Sequence, residues 1–338
     1  MPPHPHRPPE LARQVFRGSE AIRRGLLSRH HLRGASWIRL RQDVYADARL
    51  DRDHALACRA ALLRMPPGAA IAGPSAAYLH GVEHAADFTD DVHVLLPATV
   101  RADSQPGVRV HHAPMSSTRS GLLAPVGSAA PAGTSPPAGT RSPVPAPLAA
   151  VRSSPGAVMI LAGPPPRTEP AACAWETAVW ADPVEAVGII DGLLRTGSVN
   201  RSALASEAAR NACRPGARRA AWVFGLTDGL AQSPPESHLR VRLVLAGLPR
   251  PVARYPVRVP TGLILHPDLA WPEFRVAVEY DGQWHSDADR MHLDRRRLNQ
   301  LVAAGWLVLH VTGRRLRKEF PALVREIRAA LVARGWRP

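Results

Sequence analysis

Residues 113–170 set the first limit on what this chain can fold into. They contain APVGSAAPAGTSPPAGTRSPVPAP and, further on, GPPPR. Chain of this Pro/Ala/Gly/Ser composition buries too little apolar surface to offset the entropy of ordering it. The stretch therefore reads as a flexible insertion or linker, with Val158–Leu161 as a short strand inside it. A chain of 338 residues suggests two or three domains on length alone. Composition separates four regions: 11–112, this low-complexity stretch 113–170, a helical bridge 171–232, and a C-terminal domain 233–338.

The charge balance narrows the partners. Lys plus Arg number 43 against 28 Asp plus Glu, a formal net charge of +15. Lys318 is the only lysine. GC-rich coding explains arginine in place of lysine, but not the excess of bases over acids. A polyanion is the expected partner, and nucleic acid the first choice. Cys58, Cys173 and Cys213 lie far apart with no paired spacing, which fits neither a zinc knuckle nor a disulfide framework. MPPHPHRPPE has no apolar segment of signal-peptide type. No apolar run approaches the roughly 20 residues that span a bilayer. A reducing, cytoplasmic setting without a membrane is the expectation.

In the first region, Ser19 opens a short helix that Gly25 stops, and Ser28 caps a second through Leu32, closed by Gly34. Trp37–Leu40 and Val44-Tyr45 alternate around Arg41-Gln42-Asp43 as a hairpin does. Two short helices and a basic hairpin outline a winged helix-turn-helix. Arg29, His30, His31 and Arg33 fall on or beside its recognition helix, and Arg41 on the hairpin. Any small helical domain with a β-ribbon gives the same outline. A longer helix follows over Asp51–Met65, then a small-residue helix over Ala69–Gly81 with Ser75 as a cap. Strands are expected at Val92–Leu96 and Val108–His111. In the bridge, Asp182-Pro183 starts a helix reaching Thr196, another follows Asn200, and a third covers Ala217–Leu230.

From Ser233 the order is helix, three strands, helix, strand, helix. The helices are Pro234–Ala246, Asp289–Ala304 and a basic one at the end. The strands are Tyr255–Val259, Leu263–Trp271, Val276–Asp281 and Trp306–Val311. That order gives an α/β domain with a mixed sheet of about four strands flanked by helices. Strand alternation puts Glu279 and Asp281 on one face. If Pro272-Glu273-Phe274-Arg275 is the turn, Trp271 pairs with Val276 and Asp268 with Glu279. Opposed residues have Cβ atoms roughly 5 Å apart, so three acids gather. They repel unless a cation binds or a proton is shared. Mg²⁺, or Mn²⁺ in its place, is the expected cation. Glu236 lies in Ser233-Pro234-Pro235-Glu236, which is also a capping box. His285 is either a surface histidine or a base near the metal. Asp294 and Arg297 are spaced for a helical ion pair. Arg295, Arg296, Arg297, Arg314, Arg315 and Arg317 form a basic face suited to phosphate.

The segments ESHLRVRLVLAGLPRP, HPDLAWPEFRVAVEYDGQWH and DRRRLNQLVAAGWLVLHVT resemble the domain-of-unknown-function 559 family. That family is similar to very-short-patch-repair endonucleases of the PD-(D/E)xK superfamily, with a restriction-endonuclease-like fold. The resemblance covers about the last hundred residues. It implies a metal-dependent DNA endonuclease in which Asp268 and Glu279 hold Mg²⁺; Asp281 joins them only by the strand alternation above. It also implies Glu236 as the first-helix acid, and Asp294 with Arg297 as the D-x-x-R of the next helix. The superfamily lysine falls on Asp281 here. The short-patch-repair branch also lacks it and is thought to use histidine, which points to His285. Arg254 stands where relatives often have glutamine. The segments SEAIRRGLLSRHHLRG, WIRLRQDVYA and AGPSAAYLHGV resemble the AbiEi-type antitoxin N-terminal winged helix, which implies DNA binding. The alternative function is a DNA-binding regulator or antitoxin with an inactive nuclease fold.

Overall fold

The computed structural model describes residues 6–113, 164–281 and 288–338, with backbone alone at 113 and 288–295. Val158–Leu161, most of the low-complexity stretch, and His285 lie outside the described residues. The chain forms two compact units: Met1–Leu79 with Ala85–Cys173, and His80–His84 with Ala174–Pro338. Both are mixed α/β, with small antiparallel and mixed sheets flanked by helices.

The first unit begins with β1 (Val15–Arg17) and α1 (Gly18–Arg23), then β2 (Trp37–Arg41) and β3 (Val44–Asp47). The three strands form an antiparallel sheet in the order β1-β3-β2. The expected hairpin is present, with Asp43 at φ 60 in its turn. Asp43 also accepts from the Ser19 amide and hydroxyl, which fixes the start of α1. Phe16 and Trp37 meet edge to face over Leu11, Ala21 and Leu27. The helix expected over Ser28–Leu32 is instead one 3-10 turn, His31–Arg33. The Ser28 hydroxyl accepts from the His31 amide at 3.1 Å, but the turn's cap position is His30, which makes no side-chain cap. With Gly34 six residues on, too few bonds remain to offset the cost of nucleating an α-helix.

The unit continues with α2 (His54–Leu62), β4 (Ala70–Ile71), α3 (Gly73–Leu79), β5 (Val92–Pro97) and β6 (Val108–Ala113). Asp53 caps α2 by accepting from the Leu56 amide. β5 runs antiparallel to β4 and parallel to β6. The helix expected from Ala69 starts later, because Ala70-Ile71 pairs with β5. Ser75 is not a cap. Its buried hydroxyl lies 2.8 Å from His54 Nε2 and accepts from the His93 amide. Past the low-complexity stretch, the chain returns to this same unit. The Ile71 amide donates to Pro166, the Thr168 amide to Ile71, and the Cys173 thiol to Gly73. Both ends of 114–163 are thus anchored in one unit.

Next come α4 (Pro170–Trp180), α5 (Pro183–Arg195), α6 (Arg201–Arg210), α7 (Ala217–Leu226) and α8 (Pro234–Leu245). Asp182 caps α5 with proline in its first turn, and Asn200 caps α6. The helices of 171–232 fall, from Ala174 on, in the second unit with the C-terminal region. Arg240 of α8, 1% exposed, ties them together. It donates to Asp191 of α5 at 2.7 Å, lies 2.9 Å from Asp228, and donates to the Leu226 carbonyl. Asp191 also accepts from the Asp228 and Gly229 amides and the Ser237 hydroxyl.

The remaining elements are β7 (Val252–Ala253), β8 (Val257–Arg258), β9 (Ile264–Leu265), β10 (Leu269–Trp271), β11 (Val276–Asp281), α9 (Ala288–Ala303), β12 (Leu307–Thr312), α10 (Gly313–Lys318) and α11 (Phe320–Ala333). A four-stranded mixed sheet runs β12-β11-β10-β7, with β11 and β12 parallel. The strand expected over Leu263–Trp271 is divided. Its first part pairs with β8 as a separate ribbon, and His266-Pro267-Asp268 leads into β10. Pro267 has no amide to give to a continuous ladder. The basic terminal helix is likewise two, parted at Glu319. Even-numbered residues of β11 pack with Leu239 and Leu243 of α8 and with Leu323, Ile327 and Leu331 of α11. Ala277 packs with Ala270, Leu301 of α9 and Val257 of the ribbon.

Candidate functional site

The turn Pro272–Arg275 has four residues, a 3-10 turn closed by Arg275 at φ 51. Trp271 therefore pairs with Val276 and Leu269 with Val278. One step further along this register sets Asp268 against Glu279. The pair sits on the sheet face that carries Ala270 and Ala277, under α9. Their side chains are 14% and 17% exposed. Asp268 Oδ2 accepts from the Tyr280 amide at 2.8 Å, which fixes its carboxylate beside β11.

Burial, then the charges of Glu279 and Glu236, push the Asp268 carboxyl up to about 7; the Tyr280 amide and Arg254 act against them. Burial also raises Glu279, opposed by Arg297. Arg297 of α9 donates to Glu279 Oε1 through Nε at 3.3 Å and Nη2 at 3.2 Å, and also to the His266 carbonyl. Its described partners are therefore Glu279 and His266. The Asp294 side chain lies outside the described atoms.

The other expected residues are placed differently. Asp281 ends β11, opposite Thr312, and is exposed. It shares the Glu279 face by alternation but is not among the charges acting most on Asp268 or Glu279. Among the described residues, no three His, Cys, Asp or Glu side chains gather as a metal site. Glu236 is 8% exposed and spent on its own helix start. It accepts from the Gln232 amide and the Ser233 hydroxyl, a variant of the capping box, while Ser233 makes no reciprocal cap. Its charge still reaches Asp268.

Two further residues lie near the pair, and neither was given a role there from the sequence. The His266 ring nitrogen Nδ1 donates to the Arg254 carbonyl at 3.0 Å. Arg254 itself stands at φ 56, left-handed, with its amide donating to the Asp268 carbonyl. Its guanidinium lies 3.9 Å from Asp268 Oδ1. The adjacency of His266 to Pro267-Asp268 was a usable signal for the first. Nothing local marks the second.

A hard divalent cation needs one or two carboxylates, with water filling its other positions. Asp268 and Glu279 supply oxygen donors that are mostly buried and repel each other. A cation would displace the proton that Asp268 retains up to about pH 7. The pair fits such an ion without a third carboxylate.

On the first unit, Arg29, His30 and Arg33 are exposed with no ion pair among the described residues. His31 is half-buried, its Nδ1 accepting from the Ser28 amide and its ring against His6. Arg41 is not a free surface cation. It donates to the Pro106 and Gly107 carbonyls at 2.9 and 2.8 Å. At the C-terminus, Arg314 and Arg315 pair with Glu319 and Glu326, while Arg296 and Arg317 are exposed without ion pairs among the described residues.

These features define a mixed α/β protein with a partly buried acid pair, Asp268 and Glu279, flanked by arginines. Two uncharacterized proteins of Mycobacterium tuberculosis, MT2308 and Rv2248, are each 31% identical to it over 153 residues. The match covers 45% of this chain and 56% of each relative, so the chain spans about half the length of the curated relatives it matches. No family model and no solved structure matches the chain. No described helix is long and apolar enough to cross a membrane.

Proposed function

We propose that the second unit carries a metal-dependent DNA endonuclease site of the short-patch-repair type, and that the first unit is a winged-helix-like element engaging duplex DNA. The observation that carries this reading is the Asp268–Glu279 pair, with the Asp268 carboxyl raised to about 7 by burial and like charge. Raised carboxyls in a shared site are typical of places prepared for a cation or a proton transfer. A divalent ion held by Asp268 and Glu279 would supply Lewis-acid polarisation of the phosphodiester and of the attacking water. The chain's own residues orient the pair. The Tyr280 amide fixes Asp268, and Arg297 holds Glu279 while tying the His266 carbonyl to α9. Arg29, His30 and Arg33 supply exposed basic groups for phosphate.

The second reading is a DNA-binding regulator or antitoxin that keeps the nuclease fold alone. It is favoured by the absence of a third metal-ligating side chain among the described residues, and by Asp281 where the superfamily has lysine. Incubating supercoiled plasmid with the full chain and Mg²⁺ or Mn²⁺ separates the two. Nicking by the wild type, lost in Asp268→Ala, is expected. Absent nicking, or nicking indifferent to the substitution, overturns the nuclease reading and leaves DNA binding to a gel shift.

A further inference from the structure

Arg254 combines three features that a structural arginine rarely combines. The first is its backbone. At φ 56 it occupies the left-handed region that side chains with a Cβ rarely adopt. Two hydrogen bonds hold it there, from its amide to the Asp268 carbonyl and from His266 Nδ1 to its own carbonyl. Strain held in place by specific bonds is characteristic of functional positions.

The second is placement. Those bonds come from His266 and Asp268, the residues leading into β10, so the Arg254 backbone is fixed beside the acid pair. Its Nη1 lies 3.9 Å from Asp268 Oδ1, at the limit of an ion pair.

The third is what the guanidinium does not do. Arg297 donates to Glu279 and to the His266 carbonyl. Arg240 and Arg250 donate to carbonyl oxygens of the second unit. The Arg254 side chain is only 27% exposed, yet among the described residues it donates no hydrogen bond. An arginine fork matches the paired oxygens of a phosphate better than any other side chain. Here the fork is held beside two carboxylates with its donors open.

We infer that Arg254 is the phosphate-contacting residue of this site, meeting the backbone of a nucleic-acid substrate where Asp268 and Glu279 act on it. This rests on the nuclease reading of the pair. It gives the chain a fixed cation at the site despite Asp281 standing where the superfamily carries lysine. A contact of this kind positions the scissile phosphate and adds to affinity without reading bases.

The test uses the full chain with Arg254→Gly and Arg254→Lys, and Arg258→Ala as a control on the exposed β8 arginine. Glycine adopts φ 56 freely, so the Gly variant should melt at or above the wild-type temperature. Binding of a fluorescein-labelled DNA duplex is then followed by anisotropy in EDTA over a salt series. Arg254→Gly should bind about tenfold more weakly, with a salt slope smaller by about 0.9, the loss of one phosphate contact. Arg254→Lys should keep the slope, because it keeps the charge. A Gly variant with wild-type affinity and slope would identify Arg254 as no more than a counter-ion of Asp268, and would overturn the proposal. Plasmid nicking keeps the two failures apart. Wild-type cutting retained in Arg254→Gly, with unchanged binding, sinks the role of Arg254 and spares the nuclease. A wild type that never cuts but loses the phosphate slope in Arg254→Gly sinks the nuclease and spares the contact. Absence of DNA binding by the wild type at low salt sinks both.

Discussion

Asp268 is the carboxyl raised to about 7, and its titration has two consequences of known sign. Its carboxyl is raised from 3.8 to about 7 in the folded chain, so between these values the folded state holds a proton that the unfolded state has released. Stability contributed by this group is therefore present below about pH 4 and lost as pH rises toward 7. Asp268→Asn, which needs no proton, should be more stable than wild type at pH 8 by on the order of 2–4 kcal/mol, with the gap closing near pH 4. Urea melts at the two pH values measure it, and a gap independent of pH would refute the buried-pair account. The pairing of Asp268 with Glu279 was legible in the sequence because Pro272-Glu273-Phe274-Arg275 fixes the turn length and strands alternate. The exposure of Asp281 was not, since alternation gives the face but not the depth at which a strand end lies. Arg254 was marked by the resemblance, but its role was illegible for a different reason. Its left-handed backbone is imposed by His266 and Asp268, residues beyond the intervening ribbon, and leaves no local pattern.

At the scale of elements, the starts at Asp182 and Asn200 were readable, while the caps expected at Ser19, Ser75 and Ser233 did not form. Asp182 and Asn200 each accept from an amide in the first turn that follows. These are local bonds, and residue type alone announces them. Elements whose fate depends on distant pairing were less readable. Ala70-Ile71 became strand because β5 runs beside it, and Leu263–Trp271 broke where Pro267 could not donate. The helix expected after Ser28 shrank to one turn, although Ser28 still accepts from the His31 amide. The buried Arg240 knot joining α5, α8 and the α7–α8 loop could not be anticipated either, because its partners are far apart in sequence. Removing the arginine leaves Asp191 buried with uncompensated charge. Arg240→Ala should cost roughly 3–5 kcal/mol, read from the denaturant midpoint of the second unit. A loss under about 1 kcal/mol would mean that the network contributes little beyond packing.

For the whole molecule, the low-complexity stretch was legible as a segment but not in its connectivity. Composition left an insertion and a linker between domains both open. In the fold its two ends, β6 and the Pro166–Thr168 segment beside β4, belong to the same unit, and the chain passes to the other unit within α4. His80–His84 adds a second tie from early chain to late chain. Within the second unit, the His84 ring lies 3.2 Å from the Gly188 carbonyl, and Ser198 donates to the His80 carbonyl. Each unit is thus assembled from both sides of residues 114–163. A protease cut there separates the chain covalently but not the fold. The nicked protein should run as two bands on a denaturing gel and elute as one species at the intact volume. Two separate native peaks would contradict the interleaving. The consequence is that two polypeptides parted within that stretch would each carry a piece of both units and would complete them only on meeting.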